Sequence, residues 1–306
     1  MRIHKSVLKD EVVNNLLFKN TGTYVDCTLG SGGHSLEILN KLSSGTLICI
    51  DSDEKAVNDF KQTLLEMGYK ANGLKLTKDS KDVYIVADNF ASSENVLKSL
   101  GISKVDGIFA DLGWSTDQLK GIEGLSYENL EANLDMRLSD KLGVKAADLL
   151  NVLGIKSLGT MFLKYADIYG KDNNFLVERI VAERKVKPFE KVKDLLPILD
   201  KTARSQNAKS FYAKVFQALR IAVNNEYKNL EDLLDASLRI LNPNGIALII
   251  TFHSGESNIV SEFIKKNRLE TLFKKNGEIY LVPSVEELTE NLSSRSAKLF
   301  GFKNEQ

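Results

Sequence analysis

Tyr24-Val25-Asp26-Cys27-Thr28-Leu29-Gly30-Ser31-Gly32-Gly33-His34-Ser35 is the stretch on which the reading of this chain turns. Residues 24–27 have the apolar character of a buried strand and include an acid, Asp26. Three glycines follow, and a helical pattern starts at Ser35 and continues to about Leu42. A strand, a glycine turn and a helix in that order form the first half of a parallel βαβ unit.

Outward from the loop the alternation continues. Residues 46–51 read as a second strand, and residues 54–67 as a helix with Ala56, Val57, Phe60, Leu64 and Met67 at helical spacing. Residues 83–87 and 105–110 supply two more strands, with a helix over 94–100 between them. From about Leu119 to Tyr212 strand signals vanish, and helices broken by glycines take their place. Phe216, Leu219, Val223, Tyr227, Leu230 and Leu234 then lie on one apolar helix face, and Asn242-Pro243-Asn244-Gly245 turns into a strand over 246–252. The expected architecture is an α/β domain over 1–118 and 213–306, interrupted by a helical insertion over 119–212.

Composition narrows the function classes. No run reaches the roughly 20 apolar residues of a membrane span, and the first residues lack the pattern of a signal peptide. A cytosolic protein with no membrane partner is expected. Cys27 and Cys49 sit in strand-like runs and read as small core residues. Three scattered histidines give no zinc spacing, so no protein metal is expected. A formal charge of zero argues against a uniformly basic nucleic-acid binder but permits a local basic face. The oligomeric state is left open.

A parallel sheet binds its ligand beyond the carboxyl ends of its strands. Here those ends carry acids in series: Asp26, Asp51, Asp88 in Asp88-Asn89-Phe90, and Asp111. Gly30, Gly32 and Gly33 allow close backbone approach. A pyrophosphate-binding loop has a third glycine at the spacing G-x-G-x-x-G, and that position is Ser35. A nucleoside cofactor without pyrophosphate fits better, with Asp51 accepting from both ribose hydroxyls and Phe90 against the adenine face.

Asp111-Leu112-Gly113-Trp114 closes the fourth strand. A base amine is a poor nucleophile, so a strand-end acceptor such as Asp111 and a stacking face such as Trp114 suit methylation of an exposed base. Ser115 and Gln118 follow this turn, and His253 in Phe252-His253-Ser254 ends the fifth strand on the same rim, as a hydrogen-bonding or proton-accepting group. An ordinary core tryptophan and a structural histidine are the plain alternatives.

These residues resemble the bacterial family of ribosomal RNA small-subunit methyltransferases H, which make N4-methylcytidine in 16S ribosomal RNA. The match opens at His4-Lys5-Ser6-Val7-Leu8-Lys9-Asp10-Glu11-Val12 and is most specific at residues 26–35, similar to D-x-T-x-G-x-G-G-H-S. Asp106-Gly107 with Asp111-Leu112-Gly113, Leu134-Asp135-Met136-Arg137, Phe216-Gln217-Ala218-Leu219-Arg220-Ile221 with Val223-Asn224 and Glu226, Phe252-His253-Ser254, and Arg295-Ser296-Ala297-Lys298-Leu299 follow in order. The resemblance implies a class I, Rossmann-like methyltransferase sheet with a helical insertion. It implies S-adenosyl-L-methionine as cofactor, held by Gly32, Gly33, His34, Asp51, Phe90, Asp111 and Gln118. It implies small ribosomal subunit RNA as partner; the catalytic candidates Asp111, Trp114, Ser115 and His253 come from the reading of the strand ends above.

The chain departs from the family on the substrate side. Trp114 and Thr116 interrupt D-L-G-V-S-S-x-Q; Ala208–Lys214 lacks the histidine and arginine of H-P-A-T-R; Gly255-Glu256-Ser257-Asn258 replaces L-E-D-R; and Asn291-Leu292-Ser293-Ser294-Arg295 replaces N-P-R-S-R. Lost arginines are lost phosphate grips. Against this, Arg184, Lys185, Lys187, Lys191, Lys193, Lys201, Arg204, Lys209 and Lys214 form a basic stretch, a candidate RNA-facing surface or simply a solvated face. The alternatives to rRNA methylation are an amino-methyltransferase acting on another nucleic acid, a non-catalytic ribosome-assembly factor and, more distantly, a nicotinamide-dependent dehydrogenase.

Overall fold

The computed structural model describes residues 5–113, 122–139, 141–203 and 208–305. By contacts the chain divides into two compact units, 1–113 with 227–306, and 114–226.

The first unit is built on one nine-stranded sheet. In chain order its elements are α1 (Lys9–Leu16), β1 (Thr23–Asp26), α2 (Gly33–Lys41), β2 (Gly45–Asp51), α3 (Glu54–Glu66), β3 (Lys70–Asn72), β4 (Lys75–Lys78), β5 (Lys81–Ala87), α4 (Ser93–Ser99) and β6 (Val105–Asp111). The strands β5, β2, β1, β6 and β7 (Leu241–Thr251) are parallel neighbours in that order. The chain moves outward from β1 to one side and returns to its other side with β6, so strand order reverses there. That is where a sheet of this kind opens a crevice. The α/β class and the sheet expected of a class I methyltransferase are both present.

Alternation along the strands explains why their sequences are apolar on both faces. Tyr24, Leu47, Cys49, Phe109, Leu248 and Ile250 enter one core; Val25, Cys27, Ile48, Ile50, Ile108, Ala110, Ala247 and Ile249 enter the other. A strand covered by helices on both sides has no polar face to show. Both cysteines are buried and unbridged.

Four strands went unread in the sequence. β3 and β4 form an antiparallel hairpin onto β5, and β9 (Lys298–Lys303) pairs antiparallel with β7 and with β8 (Tyr280–Leu281). β3 is fully exposed and β8 is two residues long, so neither carries an apolar pattern.

The second unit is helical: α5 (Ala146–Val152), α6 (Ile155–Ala166), α7 (Gly170–Glu183), α8 (Val192–Thr202) and α9 (Ala208–Asn224) surround a core with Leu150, Phe162, Leu176, Leu195 and Leu219 at its centre. Among its described residues there is no strand, only the bridge between Asn133 and Lys191. The single apolar face expected from Phe216 to Leu234 is two helices, α9 and α10 (Glu226–Ile240). Asn225 between them has φ of 55°, the left-handed conformation that ends a helix and that asparagine tolerates. Phe216, Leu219 and Val223 belong to the helical core, whereas Leu230 and Leu234 belong to the sheet core. The division of the chain therefore follows α9, and the helical unit is longer than the expected 119–212. Among the described residues no helix is long and apolar enough to cross a membrane.

Candidate functional site

The loop between β1 and α2 is fixed from two strand ends. Asp26 is fully buried, and its carboxylate accepts the Thr28 N–H at 3.1 Å and the Ser35 hydroxyl at 2.6 Å. A buried carboxylate needs donors; one of the two here is local, and the other, Ser35, reaches back across the glycine turn from the helix start. Burial still dominates and pushes the Asp26 pKa up to about 6.

Asp51, at the end of β2, does similar work on the other side. Its Oδ2 accepts the Gly30 N–H at 2.7 Å and its Oδ1 the Asp53 N–H at 2.9 Å. The acid thus anchors the glycine loop and the entry to α3. Burial raises its pKa against those donors. Sequence spacing offered Asp51 to a ribose; this second task on the loop backbone carried no sequence signal.

The glycines divide into two kinds. Gly32 has φ of +80°, and a Cβ there would lie 2.2 Å from the Phe60 ring; a Cβ on Gly33 would lie 2.1 Å from Ser6 Oγ. Both side chains are missing because the protein's own packing takes the space. Gly30, with φ of +49°, has no such neighbour: the nearest atom to its added Cβ is 4.0 Å away. The open part of the loop is therefore at Gly30.

Asp111 ends β6, beside β1. Its main-chain N–H donates to Thr28 Oγ1 at 2.6 Å, which joins it to the Asp26-held loop. Its carboxyl is pushed up to about 7, first by burial and then by the charges of Asp26 and Glu256. His34 lies alongside, with Nδ1 4.0 Å from Asp111 Oδ2 and Nε2 2.9 Å from the Val7 carbonyl. The His34 ring packs on Phe109 at 4.6 Å between centroids. Asp26, His34, Asp51 and Asp111 are thus held together about the loop.

The remaining rim residues are more peripheral. Asp88 is exposed; its N–H donates to the Asp51 carbonyl, and its carboxylate accepts the Asn89 N–H. Asn89 Oδ1 caps Ala91, and half-buried Phe90 packs on the core that holds Val96 and Leu97. His253 is the N-cap of α11 (Ser254–Lys266). It forms a capping box with Glu256, which accepts the Phe252 N–H at 2.8 Å, and its ring stacks on Tyr227. That arrangement gives His253 the structural task that the sequence offered beside the hydrogen-bonding or proton-accepting one. Trp114, Ser115 and Gln118 lie outside the described residues.

In the helical unit, motifs far apart in sequence meet. Asn224 is buried; its Oδ1 accepts the Leu138 N–H and its Nδ2 donates to the Met136 carbonyl, each at 2.9 Å. Arg137 grips Asp135 through two nitrogens at 2.6 and 2.9 Å, and Arg220 grips Glu226 in the same way. The basic stretch is partly consumed internally. Arg184 donates to the Leu150 and Leu153 carbonyls, Lys187 pairs with Asp194, and Lys191 and Lys193 pair with Glu131. Lys185, Lys201, Lys209 and Lys214 are exposed, and Arg204 lies outside the described residues.

Comparison with known proteins adds the family. The model described as the MraW methylase family matches residues 1–305. A ribosomal RNA small subunit methyltransferase H of Finegoldia magna is 35% identical over 316 aligned positions, covering 97% of this chain and 96% of its own. A ribosomal RNA small subunit methyltransferase H 2 of Agathobacter rectalis is 37% identical with 98% of both chains covered, and the Metamycoplasma arthritidis enzyme of the first name is 39% identical over 92% and 96%.

Proposed function

The chain belongs to the MraW methylase family, and from that membership we propose that it transfers a methyl group from S-adenosylmethionine to N4 of a cytidine in 16S ribosomal RNA of the small subunit. The observation that carries the reading is the set of three acids, buried Asp26 and Asp51 and half-buried Asp111, at the ends of three adjacent strands, around a loop open at Gly30. The naming of relatives over nearly full length supports the RNA target.

The rim fits such a cofactor. A ribose offers hydroxyl donors, and the Asp51 carboxylate, which holds the Gly30 and Asp53 N–H groups, has lone-pair capacity left to accept from them. Gly32, Gly33 and His34 supply the backbone beside it, Phe90 an apolar edge, and Asp111 with Gln118 the polar end. When bound, the cofactor supplies a methyl group on a positively charged sulfur. Asp111 is the acceptor for the cytosine amine: it orients the nitrogen and takes the proton that N4 must lose. A carboxyl held near pH 7 suits that exchange at physiological pH. Trp114 provides the stacking face for the extruded base, Ser115 a further polar contact, and His253 a support for the rim. The helical unit faces the RNA through Lys185, Lys201, Lys209 and Lys214, which leaves sequence selection to the rim. The setting is the cytosol, where the small subunit is assembled.

Ribosomal RNA from cells with and without the gene, digested and quantified for N4-methylcytidine by mass spectrometry, tests the proposal. Loss of the nucleoside from 16S RNA in the deletion is expected. Equal amounts in the two strains would refute it.

A further inference from the structure

Residues 5–8 form a strap that nothing in the mechanism above uses, yet it touches the glycine loop at two points. Val7 carbonyl oxygen receives His34 Nε2 at 2.9 Å, and Ser6 Oγ occupies the space that a Gly33 side chain would need. A carbonyl only accepts, so His34 Nε2 carries the hydrogen, and in the neutral ring the lone pair belongs to Nδ1. Nδ1 is the nitrogen on the Asp111 side.

The strap does not hold itself. Leu8 is fully buried with φ of 51°, a conformation that a leucine adopts only under constraint. The constraint comes from the far end of the chain. Glu287, in α12 (Val285–Glu290), accepts the Leu8 N–H at 2.8 Å. Asn291, buried just after that helix, donates its side-chain amide to the Lys5 carbonyl at 2.9 Å, and Lys5 pairs with Glu290. Two main-chain groups of the strap, one on each side of Ser6 and Val7, are thereby latched to the C-terminal segment.

We propose that Glu287 and Asn291 are positioning residues for the cofactor loop, which act through the strap of residues 5–8 to hold His34 as its Nε2–H tautomer beside Asp111 and to keep Ser6 seated on Gly33. The consequence for methyl transfer rests on the proposed function; the tautomer and its latch do not. The latch made by Glu287 is a hydrogen bond to a main-chain N–H, which an amide oxygen can also accept; its charge acts separately on Lys5.

The test uses the full-length protein with histidines labelled by ¹⁵N. Long-range ¹H–¹⁵N spectra report the tautomer of each imidazole, and calorimetry with S-adenosylhomocysteine reports binding; neither needs RNA. Wild type is expected to show His34 as the Nε2–H form. Glu287→Ala is expected to introduce a second His34 population and to weaken binding roughly fivefold, the scale of one hydrogen bond. Glu287→Gln, which keeps an acceptor oxygen, is expected to match wild type in both readouts. Asn291→Ala cuts the other latch and is expected to give the same effects as Glu287→Ala; it decides the matter should Glu287→Ala fail to fold. Unchanged His34 spectra and unchanged binding in the folded latch variants would overturn the proposal, as would a Glu287→Gln variant that behaves like alanine. If the tautomer behaves as described while N4-methylcytidine persists in the deletion strain, the latch stands and the assigned reaction falls.

Discussion

Thr28 Oγ1 accepts the main-chain N–H of Asp111 at 2.6 Å, across the boundary between β1 and β6 where strand order reverses. One hydroxyl thus couples the glycine loop to the acid assigned to the substrate amine. The same threonine donates its own N–H to Asp26, so the loop, the buried acid and the strand end are tied together by hydrogen bonds.

Thr28→Val keeps the shape and removes the acceptor. Loss of about 1–2 kcal/mol of stability is expected, together with slower methyl transfer, while Thr28→Ser retains most of both. Urea unfolding and a turnover assay on small subunits check this. A valine variant as stable and active as wild type would refute the coupling.

The two kinds of glycine give different costs. Gly32→Ala forces a left-handed alanine against the Phe60 ring and should destabilise the fold by about 3 kcal/mol or more. Gly30→Ala meets open space and should cost only about 1 kcal/mol, from its backbone conformation. Thermal melting of the two variants measures the gap, and equal costs would contradict the packing described.

Asp26 and Asp111 have pKa values of about 6 and about 7, both raised chiefly by burial. These exceed the roughly 3.9 of an unfolded aspartate, so the native state retains protons that the unfolded chain has released. Their contribution to stability is therefore present at the acid side and is lost as pH rises from about 4 through 7. Wild type should unfold at higher urea at pH 5 than at pH 8, and Asp26→Asn with Asp111→Asn should flatten that slope. A slope of opposite sign in wild type would be inconsistent with the burial of these acids.

Asn224→Ala leaves the half-buried Leu138 N–H and the buried Met136 carbonyl without the side chain that satisfies them. A cost of about 2–3 kcal/mol is expected, with Asn224→Asp retaining only the acceptor half. Chemical denaturation of both variants, compared with wild type, reads it out.

For the RNA side, Lys209→Ala with Lys214→Ala should weaken RNA binding and lower the slope of log affinity against log salt by roughly one to two. Lys191→Ala with Lys193→Ala, whose cations already face Glu131, should change that slope less. Filter binding across a salt series distinguishes them; equal slopes for the two pairs would remove the exposed lysines from the interface.

The sequence determined the five parallel strands of the sheet and the edge proposed for the ligand. Buried parallel strands must be apolar on both faces, and their ends are marked by acids and glycines that have no place inside a strand, so residues 24–35, 46–51 and 105–111 announce themselves locally. The order of motifs also sufficed for the family. What tertiary structure alone decided lies in contacts between distant segments: the hydrogen bond from Asp111 to Thr28, the Asp51 grip on Gly30, the Asn224 bridge to residues 136–138, and the latch from Glu287 to Leu8. It also showed that Gly32 and Gly33 make room for Phe60 and Ser6, and that Asn225 splits one apolar pattern between two cores. Periodicity reports which side of an element is buried and has no information on what it is buried against; that partner exists only once the chain has closed on itself.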